Sequence, residues 1–198
     1  MSHFDQVANE WDSPEKRKLI TLTAKKMIES LRPKHHLSIL DFGCGTGLLS
    51  EHFIPFAHKL TGIDTSKKML EIFDIKFKEH ANVKSQKVDL EIENINEKYD
   101  LILSSMAFHH LNTADRVLQK LSSSLKPDGK IAIVDLDKED GSFHPDNQKM
   151  GVKHFGFSKE DILSWNKKAA LPILHHSIIH HVEKNNQKYP LFLAIFEK

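Results

Sequence analysis

Cysteine is all but missing from this 198-residue chain: Cys44 stands alone, so no disulfide can close within it, and a reducing compartment is the expected setting. An excess of one charge is missing too, with 28 Lys and Arg against 27 Asp and Glu, which removes the global field that draws nucleic acid or an anionic membrane. No run approaches the roughly 18 apolar residues of a membrane span, and MSHFDQVANEWDSPEKRK lacks the apolar centre of a signal peptide. These absences point to a cytoplasmic protein with a small or neutral partner, no nucleic acid and no membrane, and they leave the oligomeric state open. In excess is histidine, 14 residues, several of them in adjacent pairs.

A chain of this length suits one domain, which buries about 70% of its unfolded surface. Ser13-Pro14-Glu15 has the form of a helix N-cap with a first-turn proline, and Leu19, Ile20, Thr23, Met27 and Leu31 follow at helical spacing until Pro33. LSILDF at 37–42 reads as a buried parallel strand, after which GLLSEHFIPF begins a helix. KLTGID gives a second strand, and Ser66 then caps a helix whose Met69, Leu70, Phe73 and Phe77 form one stripe. VKSQKVDL is a third strand and YDLILSS a fourth, with little helix signal in residues 91–98 between them. Thr113 caps ADRVLQKLSSSLK, the turn Pro127-Asp128-Gly129 stops it, and KIAIVDLD is a fifth strand.

Residues 138–156 read as a loop or short helical insert, and Ser158 to Asp161 as a capping box opening a helix to about Ala170. ILHHSIIHHVEK and KYPLFLAIFEK read as an antiparallel hairpin turning at Asn185, Asn186 and Gln187. The expected fold is α/β, a doubly wound, mainly parallel sheet with helices on both faces and an antiparallel C-terminal hairpin strand. The single domain, 1–198, divides into a helical cap at 1–36, a core at 37–137, an insert and helix at 138–172, and the hairpin at 173–198.

The chemistry gathers at DFGCGTG, residues 41–47. A strand running into Gly43, Gly45 and Gly47 puts bare backbone at its carboxyl end, where open α/β sheets bind ligands. The dinucleotide fingerprint G-x-G-x-x-G is not met, because Leu48 takes the third glycine's slot, and no Gly-Lys-Ser/Thr follows to make a P-loop. A nicotinamide cofactor is disfavoured by this and not excluded. Asp64 ends the second strand, where a carboxylate can take both hydroxyls of a ribose; its plainer role is to cap the following helix. Asp89, ending the third strand beside it, is an acceptor for an adenine amine or simply a solvated strand end.

In this order, DFGCGTG, GIDTS, VDL, YDLILSSMAFHHL and LKPDGKIAIVD resemble the class I S-adenosylmethionine-dependent methyltransferases, especially the small-molecule group of the ubiquinone and menaquinone methyltransferases, over residues 37–137. FDQVANEWD is similar to the segment before the first helix of these enzymes, and the hairpin to their sixth and seventh strands. The resemblance implies a seven-stranded Rossmann-like methyltransferase fold, S-adenosyl-L-methionine as cofactor, S-adenosyl-L-homocysteine as product, and a small-molecule methyl acceptor. It places Asp41, Gly43, Gly45 and Gly47 along the methionine part, with Asp41 toward the ammonium group, Asp64 at the ribose, Asp89 at the adenine amine, and Ser104 as backbone after the fourth strand. Thr65 and Leu90 join that cofactor-binding set. Cys44 belongs to the same loop as a small packing residue rather than a nucleophile, since no thiolate-stabilising partner is evident.

Methyl transfer from a sulfonium is an in-line displacement to which a protein contributes mainly alignment, so a base is optional. Where the acceptor must lose a proton, His109 is the first candidate and His110 the second, in the loop after the fourth strand; each also fits a helix start or a surface position. Phe4, Trp11, Phe143, His144, His154 and Phe155 are candidates for an aromatic lid, or for core. Adjacent histidines on a strand face opposite ways, so His35-His36, His175-His176 and His180-His181 each offer one imidazole. No carboxylate or thiol completes a tetrahedral set with them, and no metal site is expected. Two other functions stay open: a methyltransferase-like cofactor-binding regulatory protein without turnover, and a nicotinamide-dependent oxidoreductase.

Overall fold

The computed structural model describes residues 2–184 and 186–198; Asn185, expected in the hairpin turn, lies outside them. One sheet of seven strands has the order β3-β2-β1-β4-β5-β7-β6. β1 (Leu37–Phe42), β2 (Ala57–Asp64), β3 (Val83–Lys87), β4 (Tyr99–Ser105) and β5 (Leu125–Leu136) pair in parallel. β6 (Ile173–Lys184) and β7 (Gln187–Glu197) make the expected hairpin, with β7 antiparallel to β5 and β6 at the edge.

Strand alternation decides what each face buries. Ile39, Leu101, Leu103, Ala132 and Val134 pack with Met27 and Leu31 of α2 (Pro14–Leu31) and Phe73 of α4 (Lys67–Lys76). Their neighbours Leu40, Phe42, Ile102, Ile131 and Ile133 pack with Leu118 and Leu121 of α5 (Ala114–Ser123) and Trp165 of α6 (Lys159–Ala169). A parallel strand buried on both faces needs this continuous apolar run, and each fully buried side chain of that size contributes about 1.5–3 kcal/mol. The serine caps form as expected: the hydroxyls of Ser13, Ser66 and Ser158 accept the N–H groups of Lys16, Met69 and Asp161.

Several local expectations change. The helix after the glycine loop is a single turn, α3 (Ser50–Phe53), followed by a 3-10 turn at Ile54–Phe56 that contains Pro55, which has no N–H for a helical bond. β3 stops at Lys87, so Asp89 does not end it. Instead Asp89 Oδ1 accepts the Glu91 N–H at 2.9 Å and the Asp89 N–H donates to Glu93 Oε1 at 2.8 Å, a local turn that competes with the ladder. Between β3 and β4 the chain crosses without a helix, pinned by Lys120, whose ammonium donates to the carbonyls of Leu90 and Glu93.

Pro127-Asp128-Gly129 lies inside β5, past the end of α5 at Ser123; Asp128 takes φ +59° and the register slips between Tyr99 and Leu101, a bulge rather than a turn. Thr113 precedes α5 without capping it, its hydroxyl donating to Glu91 Oε1. Residues 138–156 form turns and bends. Among the described residues no helix is long and apolar enough to cross a membrane.

Candidate functional site

The strand order reverses between β1 and β4, and ligands of such sheets bind outside the carboxyl ends of the strands at that point. The glycine loop leaves β1 there, and the turn Met106–His110 leaves β4. The two segments touch. A Cβ added to Gly43, at φ +68°, would lie 2.5 Å from Ala107 Cβ, and one added to Gly47, at φ +85°, would lie 2.4 Å from the Phe77 ring. Two of the three glycines are therefore demanded by the protein's own packing. Gly45 differs, with Trp11 Nε1 at 3.7 Å as the nearest atom to its added Cβ.

Asp64, at the tip of β2, fastens this loop. Its Oδ2 accepts the Gly45 N–H at 2.9 Å and its Oδ1 the Ser66 N–H at 2.8 Å, so it serves the loop and the start of α4 together. A carboxylate has about four lone-pair positions, and each oxygen keeps capacity for another donor. Burial raises its pKa against the pull of the N–H groups of Ser66, Gly45 and Thr65. Asp41 is 1% exposed; its Oδ2 accepts the Ser50 hydroxyl at 2.6 Å, and burial pushes its pKa up to about 7 despite that bond. Burial also lifts the Cys44 thiol well above its ordinary range, which removes it as a nucleophile.

The remaining expected cofactor residues are more dispersed in role. Val88, next to Asp89, donates its N–H to the Asp64 carbonyl at 3.1 Å, which keeps Asp89 near the tip of β2. Leu90 is core, and Ser104 is buried with a hydroxyl that has no protein partner.

The N-terminal segment lies over the loop. α1 (His3–Val7) docks through Asp5, whose Oδ1 accepts the Ser66 hydroxyl at 2.7 Å, while Asp12 accepts the Thr46 hydroxyl and pairs with Lys76 at 2.9 Å. Phe4 meets Trp11 and His110 edge-on, with ring centroids at 5.7 and 5.0 Å. Phe4 thus joins Trp11, which stands next to Gly45 of the loop. Phe143 and His144 approach from the insert, His144 against His109 and His110, whereas His154 packs on Phe157 and Phe155 is 41% exposed.

His109 is not at an open mouth: it is 1% exposed. Met106, at φ +56°, turns the chain after β4 into the 3-10 turn Phe108–His110, and this directs the His109 ring inward. Asp135 of β5 receives it. Oδ1 accepts from His109 Nδ1 at 2.6 Å and from the Leu136 N–H, and Oδ2 accepts the N–H groups of Phe108 and His109. Burial opposes the Asp135 charge, but His109 and these donors hold its pKa below the usual range. An ionised Asp135 can only accept, so His109 Nδ1 carries the proton of this bond, and Nε2 is buried without a partner.

The sequence matches the methyltransferase-domain family over residues 40–131. It is 37% identical over 155 residues to an uncharacterized methyltransferase of Schizosaccharomyces pombe, covering 70% of this chain and 54% of that protein. The chain is thus similar to methyltransferase-domain proteins, the matched segment covering just under half of its length. It spans about half the length of the curated relatives it matches. In structure it superposes on a chain of the Haloferax volcanii complex containing the Trm112 methyltransferase activator with a TM-score of 0.85, at 14% identity, covering 100% of this chain and 98% of that one. The N-methyltransferase NodS of Bradyrhizobium japonicum, solved with S-adenosyl-L-homocysteine, superposes with a TM-score of 0.71 at 18% identity, covering 94% and 89%.

Sequence reasoning missed Asp135 as the partner of His109. Its signal was present, a lone carboxylate in the apolar run IAIVDL. It also missed that His144 joins His109 and His110, which no spacing reveals because the insert has no period. The expectation of no metal site weighed only the strand histidine pairs, and those of β6 stay apart from this cluster: His175 bonds to Ser177 and His176 stacks on Phe192.

Proposed function

We propose that this chain binds S-adenosyl-L-methionine at the glycine loop and transfers its methyl group to a small-molecule acceptor by in-line displacement. The observation that carries the reading is Asp64, fastened to Gly45 at the tip of β2 with lone pairs to spare for a ribose diol. The residues fit the cofactor in two further respects: Gly45 has no neighbour closer than Trp11 Nε1, 3.7 Å from an added Cβ, and Asp41 is a buried acid whose ionised form would be favoured by an ammonium group. NodS holding S-adenosyl-L-homocysteine on the same fold supports the choice.

When bound, the cofactor supplies an electrophilic methyl group on sulfonium sulfur. The chain's residues position and enclose it. Asp64 and Asp41 anchor the two ends of the methionyl nucleoside, and Asp89 stands toward the base. Phe4 and Trp11 exclude water from above the loop, and the closeness of Trp11 to Gly45 favours a small acceptor over a macromolecule. Entry to the loop then requires the N-terminal segment to move aside. Titration calorimetry with S-adenosyl-L-methionine, S-adenosyl-L-homocysteine and NAD tests the cofactor, and incubation of a metabolite panel with methyl-labelled cofactor tests turnover. Binding of NAD alone overturns the reading; cofactor binding with label transferred to no acceptor turns it into a regulatory protein.

A further inference from the structure

His109, His110 and His144 bring one ring nitrogen each to within 4.8 Å of the others. The ring centroids of His109 lie 4.1 Å from His110 and 5.1 Å from His144. Outer bonds fix which atoms face inward. His109 Nδ1 donates to the Asp135 carboxylate, and His110 Nδ1 to the Gly151 carbonyl at 3.2 Å, so the Nε2 atoms of both rings face away from these supports. His109 Nε2 and His144 Nδ1 are buried with no hydrogen-bond partner. A buried polar atom without a partner is costly, and two in one cluster call for a ligand between them.

We propose that His109, His110 and His144 form a binding site for one divalent transition-metal ion of the zinc, cobalt or nickel type, with Asp135 and Gly151 as its outer supports. Imidazole nitrogens suit these ions, and a ligating histidine characteristically donates its other N–H to a carboxylate or a backbone carbonyl, as two of the three do here. Three protein ligands leave a fourth tetrahedral position open, the arrangement of catalytic rather than structural zinc. At Zn–N distances of about 2.0–2.1 Å, ligand nitrogens sit about 3.4 Å apart, so from separations of up to 4.8 Å the cluster closes by up to about 1.4 Å. The movement falls to His110, which is partly buried, and to His144, whose Nδ1 no hydrogen bond holds, whereas His109 is locked by Asp135. Lys184 acts against the site through its charge, but its ammonium is engaged by the Phe143 carbonyl at 2.6 Å. A nitrogen that ligates a metal cannot also serve as a base, so this assignment replaces the general-base role expected of His109 and His110.

The test is metal binding by the chelator-stripped full chain, followed by calorimetry with Zn2+ and by the visible absorption of Co2+. The expected result is one Co2+ per chain with the intense band of low-coordinate cobalt, abolished by His144→Ala and unaffected by His175→Ala, circular dichroism confirming that both variants fold. Asp135→Asn, where it folds, weakens Zn2+ binding about 10–100-fold, the usual effect of losing an outer carboxylate. Wild-type protein that takes up no Co2+, or that binds it as well after His144→Ala, overturns the site and leaves water as the partner of the orphaned nitrogens. Parallel titration with S-adenosyl-L-homocysteine keeps the readings apart: loss of one binding event leaves the other standing.

Discussion

Replacing Asp41 with asparagine separates the stability of the fold from its use of a cation. In the unfolded chain this acid ionises near its ordinary value of 3.8, whereas in the fold burial holds it protonated up to about 7. A raised acid pKa means that the folded state keeps a proton the unfolded state has lost, so stability falls as pH climbs through that window and is level on either side. At about 1.36 kcal/mol per pH unit, the ligand-free fold is penalised by up to about 4 kcal/mol at pH 8 and about 1.5 kcal/mol at pH 5.

Asparagine has the same shape, carries no charge, and can still accept the Ser50 hydroxyl through its carbonyl. Relative to wild type, Asp41→Asn is therefore expected to gain about 2–3 kcal/mol between pH 5 and pH 8, which for a domain of this size widens the Tm difference by about 5–10 °C. Thermal unfolding followed by circular dichroism without cofactor, at both pH values, measures this. The same variant loses affinity for S-adenosyl-L-methionine in calorimetry, because the ammonium group no longer meets a carboxylate. A Tm difference independent of pH would refute the buried-charge account, and unchanged affinity would remove Asp41 from the binding site.

Asp64→Ala is expected to weaken S-adenosyl-L-homocysteine binding by about 1.5–3 kcal/mol, or roughly 10–150-fold in Kd, the range for hydrogen bonds to a charged group; an unchanged Kd in calorimetry would take Asp64 out of the site. Gly43→Ala drives a Cβ into Ala107 at a strained φ and lowers Tm, while Gly45→Ala, strained by its φ of +52° but meeting only Trp11 Nε1 at 3.7 Å, lowers it less and loses cofactor affinity. Equal losses of Tm in the two glycine variants would contradict the division of labour drawn for the loop. Asp135→Asn removes a carboxylate that accepts four donors at 0% exposure, and a loss of about 3–5 kcal/mol in urea unfolding is the expected result.

The sheet was legible because its strands are short apolar runs set between caps and glycines, and LSILDF and YDLILSS match β1 and β4 residue for residue. Legibility failed where side chains redirect the backbone. Asp89 closes its own turn with Glu91 and Glu93, which shortens β3, and Asp128 bulges β5 where Pro-Asp-Gly reads as a turn. At the site, DFGCGTG and Asp64 were readable because backbone geometry limits what can stand there. Yet Gly43 and Gly47 answer to Ala107 and Phe77, contacts between distant segments that no local pattern encodes. His109 was readable as a functional candidate and Asp135 was not, since their 2.6 Å contact joins β5 to the turn after β4 and exists only once the sheet is formed.

β7 is the last strand in the chain and yet an interior one, seated between β5 and β6 with Leu191 to Phe196 at 0–2% exposure. Past Val134, which pairs with Ser105 at the end of β4, β5 continues along β7, where Asp135 lies opposite Phe192. On a ribosome, then, the nascent sheet waits with an open apolar flank until residues beyond 187 emerge, and only their arrival locks in the acid that aims His109. Clipping that C-terminal strand would take out a keystone of the site rather than trim a tail.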